Sequence, residues 1–246
     1  MRLLLTAVQY FTRIRVPAWV GHAPGQLTGA VRYFPAIGLI VGASGAAVMW
    51  LAALGLPAPL PAILSTAVTI LMTGAIHEDG LADTADGLGG GATRERALEI
   101  MKDPRIGVFG AIALMLILLL KIATLSLMPL WTALAVLVGA HAFSRFCAVL
   151  VIVTGHYVGS ADRSRSAPVV ERVRIGDVLI AALFGLPALA LCGPRVVVAV
   201  VVALVVVGLL ARWCVRKIGG YTGDTLGATQ QVAEVGCYVG LLGMSG

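Results

Sequence analysis

Fifteen consecutive residues without one polar side chain, VVVAVVVALVVVGLL from Val196 to Leu210, set the first constraint on this chain. A backbone in hydrocarbon must satisfy its own hydrogen bonds, so such a run reads as a membrane-spanning helix. Seven stretches of this kind suggest spans, at 34–56, 60–76, 108–128, 130–153, 175–192, 196–211 and 224–244. The second is short, and the seventh contains Gln230, Gln231 and Glu234. Only 12% of the 246 residues are charged and 59% are hydrophobic, against roughly 25% charged in soluble domains. The expected fold is all-α: a polytopic integral membrane helical bundle of about seven transmembrane helices, with residues 1–246 as one membrane-embedded domain. The first eleven residues read as an amphipathic helix lying along the interface, anchored by Arg2 and Arg13. Their apolar core is too short for a cleavable signal peptide.

A net charge of +6 could suggest nucleic acid, but the placement of the basic residues argues for membrane orientation instead. The connections 1–33, 77–107, 154–174 and 212–223 hold fifteen of the eighteen lysines and arginines, Arg163, Arg165 and Arg172 among them. The opposite connections hold Arg195 alone. Cytosolic loops carry the excess of basic residues, so the N-terminus and the three long loops are expected in the cytosol. The four cysteines form no CxxC pair and read as small buried hydrophobes.

Acidic residues are scarce, yet four of the twelve fall between Glu78 and Asp86 in the run HEDGLADTAD. On a helix Asp79, Asp83 and Asp86 lie at i, i+4 and i+7 and share one face, with Glu78 about 100° away. Three like charges on one stripe need a compensating cation, and hard oxygen ligands suit Mg²⁺ or Mn²⁺. Mg²⁺ usually completes its shell with water and phosphate oxygens. A solvated acidic helix end is the plain alternative. The stripe's register and its position beside apolar spans favour a site.

Two more clusters follow. In MKDPRIG (101–107), Lys102 and Arg105 could hold a phosphate beside Asp103, or simply anchor the loop. In GGYTGDTLG (219–227), a glycine-rich turn ending at Gly223 opens a helix that carries Asp224, Gln231 and Glu234. Such a turn can cradle an anion, though it is also a common plain turn. Arg145 in the fourth span reads equally as a phosphate clamp or a structural partner. Lys121 is expected to pair with a buried carboxylate. His77 reads as a helix-end hydrogen bonder, and Gly89–Gly91 as the end of the helix.

HEDGLADTADGL (77–88), MKDPRIGVFG (101–110) and GGYTGDTLGATQQVAE (219–234) resemble the cobalamin 5′-phosphate synthase family, also called adenosylcobinamide-GDP ribazoletransferases. YFTRIRVP (10–17) and RYFPAIGLIVG (32–42) are similar to its N-terminal signatures, and the resemblance runs through nearly the whole chain. Departures are small: Pro104 where serine is usual, and Glu78 where leucine is also common. The resemblance implies a Mg²⁺-dependent transfer that joins adenosylcobinamide-GDP to α-ribazole or its 5′-phosphate and releases GMP. It implies Asp79, Asp83 and Asp86 as the metal and catalytic group, with Asp103 and Asp224 as further catalytic candidates. Lys102, Arg105, Arg145, Gly223, Gln231 and Glu234 are the expected substrate-binding residues. The implied partners are those small molecules and membrane lipid, without nucleic acid; a homo-oligomer is left open. The implied location is a bacterial cytoplasmic membrane with the site facing the cytosol. A CDP-alcohol phosphotransferase would share the DG-x-x-A spacing but needs an arginine next and two further acids at fixed spacing. A cation transporter would carry acids at mid-membrane on several helices.

Overall fold

Helix is the only extended secondary structure among the described residues of the computed structural model, which are 1–23, 25–159 and 173–243. The helices are α1 (Arg2–Phe11), α2 (Gln26–Ala30), α3 (Phe34–Ala53), α4 (Leu60–Thr73), α5 (Ile76–Gly90) and α6 (Arg94–Ile100). They continue as α7 (Val108–Leu127), α8 (Leu130–Thr154), α9 (Ile175–Gly185), α10 (Val196–Ile218) and α11 (Gly223–Leu242). Arg163, Arg165, Arg172 and the end of the expected seventh span at Met244 lie outside the described residues.

Among the described residues, five helical stretches are long and apolar enough to cross a membrane: Gln26–Ala53, Val108–Leu127, Leu130–Thr154, Ile175–Cys192 and Val196–Ile218. The fourth is α9 followed by a 3₁₀ segment, Pro187–Cys192, rather than one helix. The expected count of seven is not reached, for two physical reasons. The span expected at 60–76 stops at Thr73, and α4 and α5 together make a broken pair bent by 89°. The span expected at 224–244 is a 20-residue helix, but its polar side chains keep it outside the apolar set. The end of α10 also lies beyond the expected residue 211. Arg212, Arg216 and Lys217 are helical, and the two last sit in the final turn, where cations complement the helix dipole.

α11 is the centre of the bundle, packed against α5, α7, α8 and α10. Small residues allow the close approach, as at other membrane helix contacts. A Cβ added at Gly236 or Gly240 would meet the Ala203 or Ala199 backbone at 2.8 and 2.7 Å. α3 lies on α8 in the same way, with Gly38 directly against the His141 backbone. Helices α7 and α10 turn large apolar side chains outward, including Leu116, Leu119, Val201 and Leu209. Exposed apolar surface on this scale suits hydrocarbon rather than water. α1 buries Thr6, Ala7 and Val8 and packs on α2 and α3. Cys147, Cys214 and Cys237 are buried and unpaired, and Cys192 is partly buried.

Candidate active site

The site begins at the α4–α5 bend. Gly74 and Ala75 both take left-handed backbone angles, with φ of 67° and 59°. Glycine accepts this freely and alanine at a cost, so the turn is held from outside. The Arg13 N–H donates to the Met72 carbonyl at 2.7 Å, and the Arg13 guanidinium lies against Gly74. α5 therefore leaves the line of α4 at 89° and carries Glu78, Asp79, Asp83 and Asp86.

A second turn brings Asp224 to α5. α10 ends at Gly219, whose φ of 87° reverses the chain, and Arg94 Nε donates to the Ile218 carbonyl at 2.8 Å. Tyr221 forms a β-bridge with Tyr157, which ties the 155–159 segment to the same place. Thr222 then caps α11: its hydroxyl accepts from the Thr225 N–H at 3.3 Å, and the Thr225 hydroxyl accepts from the Thr222 N–H at 2.8 Å. Glycines let α11 approach α5 closely. A Cβ at Gly80 would lie 2.7 Å from the Asp224 carbonyl oxygen, and one at Gly227 3.2 Å from that of His77.

This contact gathers Asp79, Asp83 and Asp224. Burial first, then the charges of Asp79, Asp224 and Asp86, push the Asp83 carboxyl up to about 7. Among the described residues no lysine, arginine or histidine pairs with Asp79, Asp83 or Asp224. Nor do any three His, Cys, Asp or Glu side chains there stand at the spacing of a ready-made metal site. Asp86 is committed elsewhere. Its two oxygens accept from the Gly107 N–H at 2.7 Å and the Gly110 N–H at 2.8 Å, at the start of α7. Both glycines lie so close that a Cβ would collide with the carboxylate.

A cavity of about 640 Å³ opens beside these acids. Five of the expected residues line it: Asp79, Lys102, Arg145, Gly223 and Asp224. Asp83 and Asp86 share α5 but are not on its wall. Asp103 and Arg105 are away from it and bind each other: two side-chain bonds of 2.9 and 2.7 Å hold the Asp103 carboxyl down to about 2. Gln231 and Glu234 belong to a closed polar network in the core. Glu234, 1% exposed, meets Lys121 Nζ at 2.9 Å, His141 Nδ1 at 3.2 Å and the Tyr238 hydroxyl at 3.0 Å. Gln230 donates to Glu234 at 2.5 Å and to Ser144 at 3.1 Å. Gln231 donates to Glu78 at 2.9 Å and to Gln230 at 2.8 Å. The expected carboxylate partner of Lys121 is thus Glu234.

Arg145 stands between network and cavity. It donates to the His141 carbonyl at 2.9 Å and contacts His77 Nε2 at 3.3 Å, while its Nε has no partner. Sequence reasoning missed several lining residues: Tyr10, Phe11, Tyr157, Thr222 and Gln230. Tyr10 and Phe11 open the YFTRIRVP motif, which was a usable signal; Tyr157 had none.

Comparison with known proteins follows the same lines. A sequence model described as cobalamin-5-phosphate synthase matches residues 3–242. A protein of Ralstonia pickettii strain 12J named adenosylcobinamide-GDP ribazoletransferase is 49% identical over 97% of this chain and 94% of its own length. Proteins of the same name from Leptothrix cholodnii and Shewanella frigidimarina are 43% and 44% identical, each over 98% of this chain and 95% and 94% of theirs. No solved structure matches this chain. With the family's pattern running through almost every residue and relatives this similar in sequence and in length, the chain belongs to the cobalamin-5-phosphate synthase family.

Proposed function

We propose that this membrane protein joins adenosylcobinamide-GDP to α-ribazole or α-ribazole 5′-phosphate, giving adenosylcobalamin or its 5′-phosphate and releasing GMP. Family membership supports the reaction class, a transferase of cobalamin synthesis. The observation that carries it to this site is the meeting of Asp79 and Asp224 with Lys102 and Arg145 on one cavity. A ribazole hydroxyl oxygen forms a bond to phosphorus as the phosphorus–oxygen bond to GMP breaks. Lys102 and Arg145 hold phosphate oxygens through charge-assisted hydrogen bonds. Asp79 and Asp224 are the carboxylates on the wall and so the candidates to accept the hydroxyl proton. Asp103 is a poor base, because Arg105 holds it in the charged form.

Asp79, Asp83 and Asp224 are the residues that would hold Mg²⁺, with water and substrate phosphate oxygens completing its shell because the three carboxylates do not themselves stand at the spacing of a ready-made site. They offer hard oxygen donors with no cationic side chain paired to them among the described residues, and a divalent cation would relieve the repulsion that raises Asp83. A bound Mg²⁺ would neutralise phosphoryl and leaving-group charge. In this reading Asp224 takes the place first given to Asp86. The basic connections support a cytosolic site in a bacterial cytoplasmic membrane, where soluble nucleotide substrates meet a membrane-held enzyme.

The test is GMP release by purified protein given adenosylcobinamide-GDP, α-ribazole and Mg²⁺. Asp79→Asn and Asp224→Asn should each lower turnover by about 10²-fold or more, the scale of losing ~2.7–4 kcal/mol of electrostatic stabilisation. Wild-type rates in both variants would defeat the site. No GMP from the wild type would defeat the reaction.

A further inference from the structure

The cavity wall is partly acidic and basic and partly aromatic. Its acids come from α5 and the first turn of α11 and Lys102 from the loop after α6, whereas α1, α2 and α3 contribute Tyr10, Phe11, Leu27 and Phe34. The two groups meet at Phe11 of α1, whose ring lies over His77 of α5, two residues before Asp79. An aromatic wall thus borders the acids and Arg145, which contacts the same His77 at 3.3 Å. Phe11 is the central member of that wall. Its ring meets Phe34 edge-on with centroids 4.3 Å apart, and lies nearly parallel to His77, 14° between planes at 6.1 Å. Phe34 is buried, whereas Tyr10 and Phe11 are only partly covered.

We infer that the wall formed by Phe11 with Tyr10 and Phe34 binds the base of the ribazole substrate and selects for an apolar base; this rests on the transferase reading above. Two flat bases compete for such a wall, the benzimidazole of ribazole and the guanine of the nucleotide donor. Guanine carries an amino group, a carbonyl and ring N–H groups that lose water on burial and need replacement partners. Of the four side chains from α1, α2 and α3, three are purely hydrocarbon and the Tyr10 hydroxyl is the one polar group. A benzimidazole has no exocyclic hydrogen-bonding group, so an aromatic and aliphatic wall suits it by stacking and burial. Polar edges left unpaired are what let a pocket reject a near-isostere strongly. With its base on Phe11, the nucleoside points its sugar toward Asp79 and Asp224. A cavity of about 640 Å³ is of the size that takes one drug-sized ligand, so the nucleoside and a diphosphate fit while the corrin ring stays at the mouth.

The test is steady-state GMP release by wild type, Phe11→Ala and Phe11→Leu, varying each substrate in turn, with α-ribazole and with α-adenosine as acceptors. Phe11→Ala should raise KM for α-ribazole about tenfold or more, as for loss of an aromatic anchor. KM for adenosylcobinamide-GDP should stay within about twofold, Phe11→Leu should fall between, and the wild-type preference for α-ribazole over α-adenosine should narrow. Equal rises in both KM values, or a fall in kcat alone, would overturn the inference and leave the transferase reading standing. If Phe11→Ala is not monodisperse, Phe11→Leu decides alone: an unchanged α-ribazole KM and base preference overturns the inference. Absence of turnover in the wild type would instead overturn the transferase reading, and this inference with it.

Discussion

Asp86→Asn separates a metal ligand from a fastener more cleanly than any other single change. The Asp86 carboxylate is buried and accepts backbone N–H groups of Gly107 and Gly110 at 2.7 and 2.8 Å. Hydrogen bonds to a charged group contribute roughly 1.5–3 kcal/mol each, and a buried N–H left unpaired costs about 1–3 kcal/mol. Asparagine has one carbonyl oxygen, so one bond survives in weaker form and the other becomes a donor facing a donor. The favourable charge at the start of α7 is lost as well, at about 0.3–1 kcal/mol. The expected destabilisation is about 2–4 kcal/mol, or on the order of 10 °C for a chain of this length. The assay is thermal denaturation of the detergent-purified protein, paired with a Mg²⁺ titration of GMP release. A lowered melting temperature with an unchanged Mg²⁺ requirement is the expected result, and Gly107→Ala or Gly110→Ala should reproduce it by collision with the same carboxylate. A normal melting temperature with a raised Mg²⁺ requirement would refute the reasoning and make Asp86 a ligand.

Activity should require Mg²⁺ or Mn²⁺, and undiminished GMP release in excess EDTA would remove the metal from the site. Asp83 carries its proton up to about 7 in the fold and up to 3.8 as a free carboxyl, so protonation stabilises the metal-free protein at low pH and that contribution is lost as pH rises through 7. The melting temperature of EDTA-treated protein should therefore fall across that window, and Asp83→Asn should flatten the slope; an identical slope in the variant would show that other groups set it. Glu234→Gln leaves Lys121 buried without its partner, a change that usually costs about 3–5 kcal/mol. Monodisperse yield should drop and should recover in the Lys121→Met, Glu234→Gln double variant, whereas a stable single variant would contradict the pairing. Single-cysteine labelling at position 94 should occur from the cytosolic side, and periplasmic labelling would invert the topology.

The helices were legible because hydrocarbon imposes a simple rule on composition, and the ends of α7, α8 and α11 fall within two residues or so of the expected limits where described. The α4–α5 bend was not, although Gly74 stands at it: hydropathy averages over the break, and the left-handed Ala75 has no signature in sequence. The acidic stripe was legible as a helix face, but helix geometry says nothing about what faces it. Asp86 meets amides 21 and 24 positions away, and Asp224 reaches α5 through a contact between distant helices. Glu78, about 100° off the stripe, looks like a bystander on a helical wheel, yet it is buried against Gln231. Glu234 reads as a substrate-binding residue in the family motif, and the sequence does not show that Lys121, His141, Gln230 and Tyr238 all meet its carboxylate.

The Lys121–Glu234 pair has a consequence for the order in which the protein is made. α7 leaves the ribosome with its lysine more than a hundred residues before α11 brings the acid. A lysine near the middle of a spanning helix is costly in lipid until it is compensated. During synthesis α7 is therefore expected to stay loosely seated, with its lysine reaching toward the polar surface, until the last helix arrives and draws it into register. Assembly of the bundle is in this sense completed from its C-terminal end. A chain stopped before α11 should leave α7 accessible to proteases that spare the full protein, and equal protection of both would show that α7 seats itself.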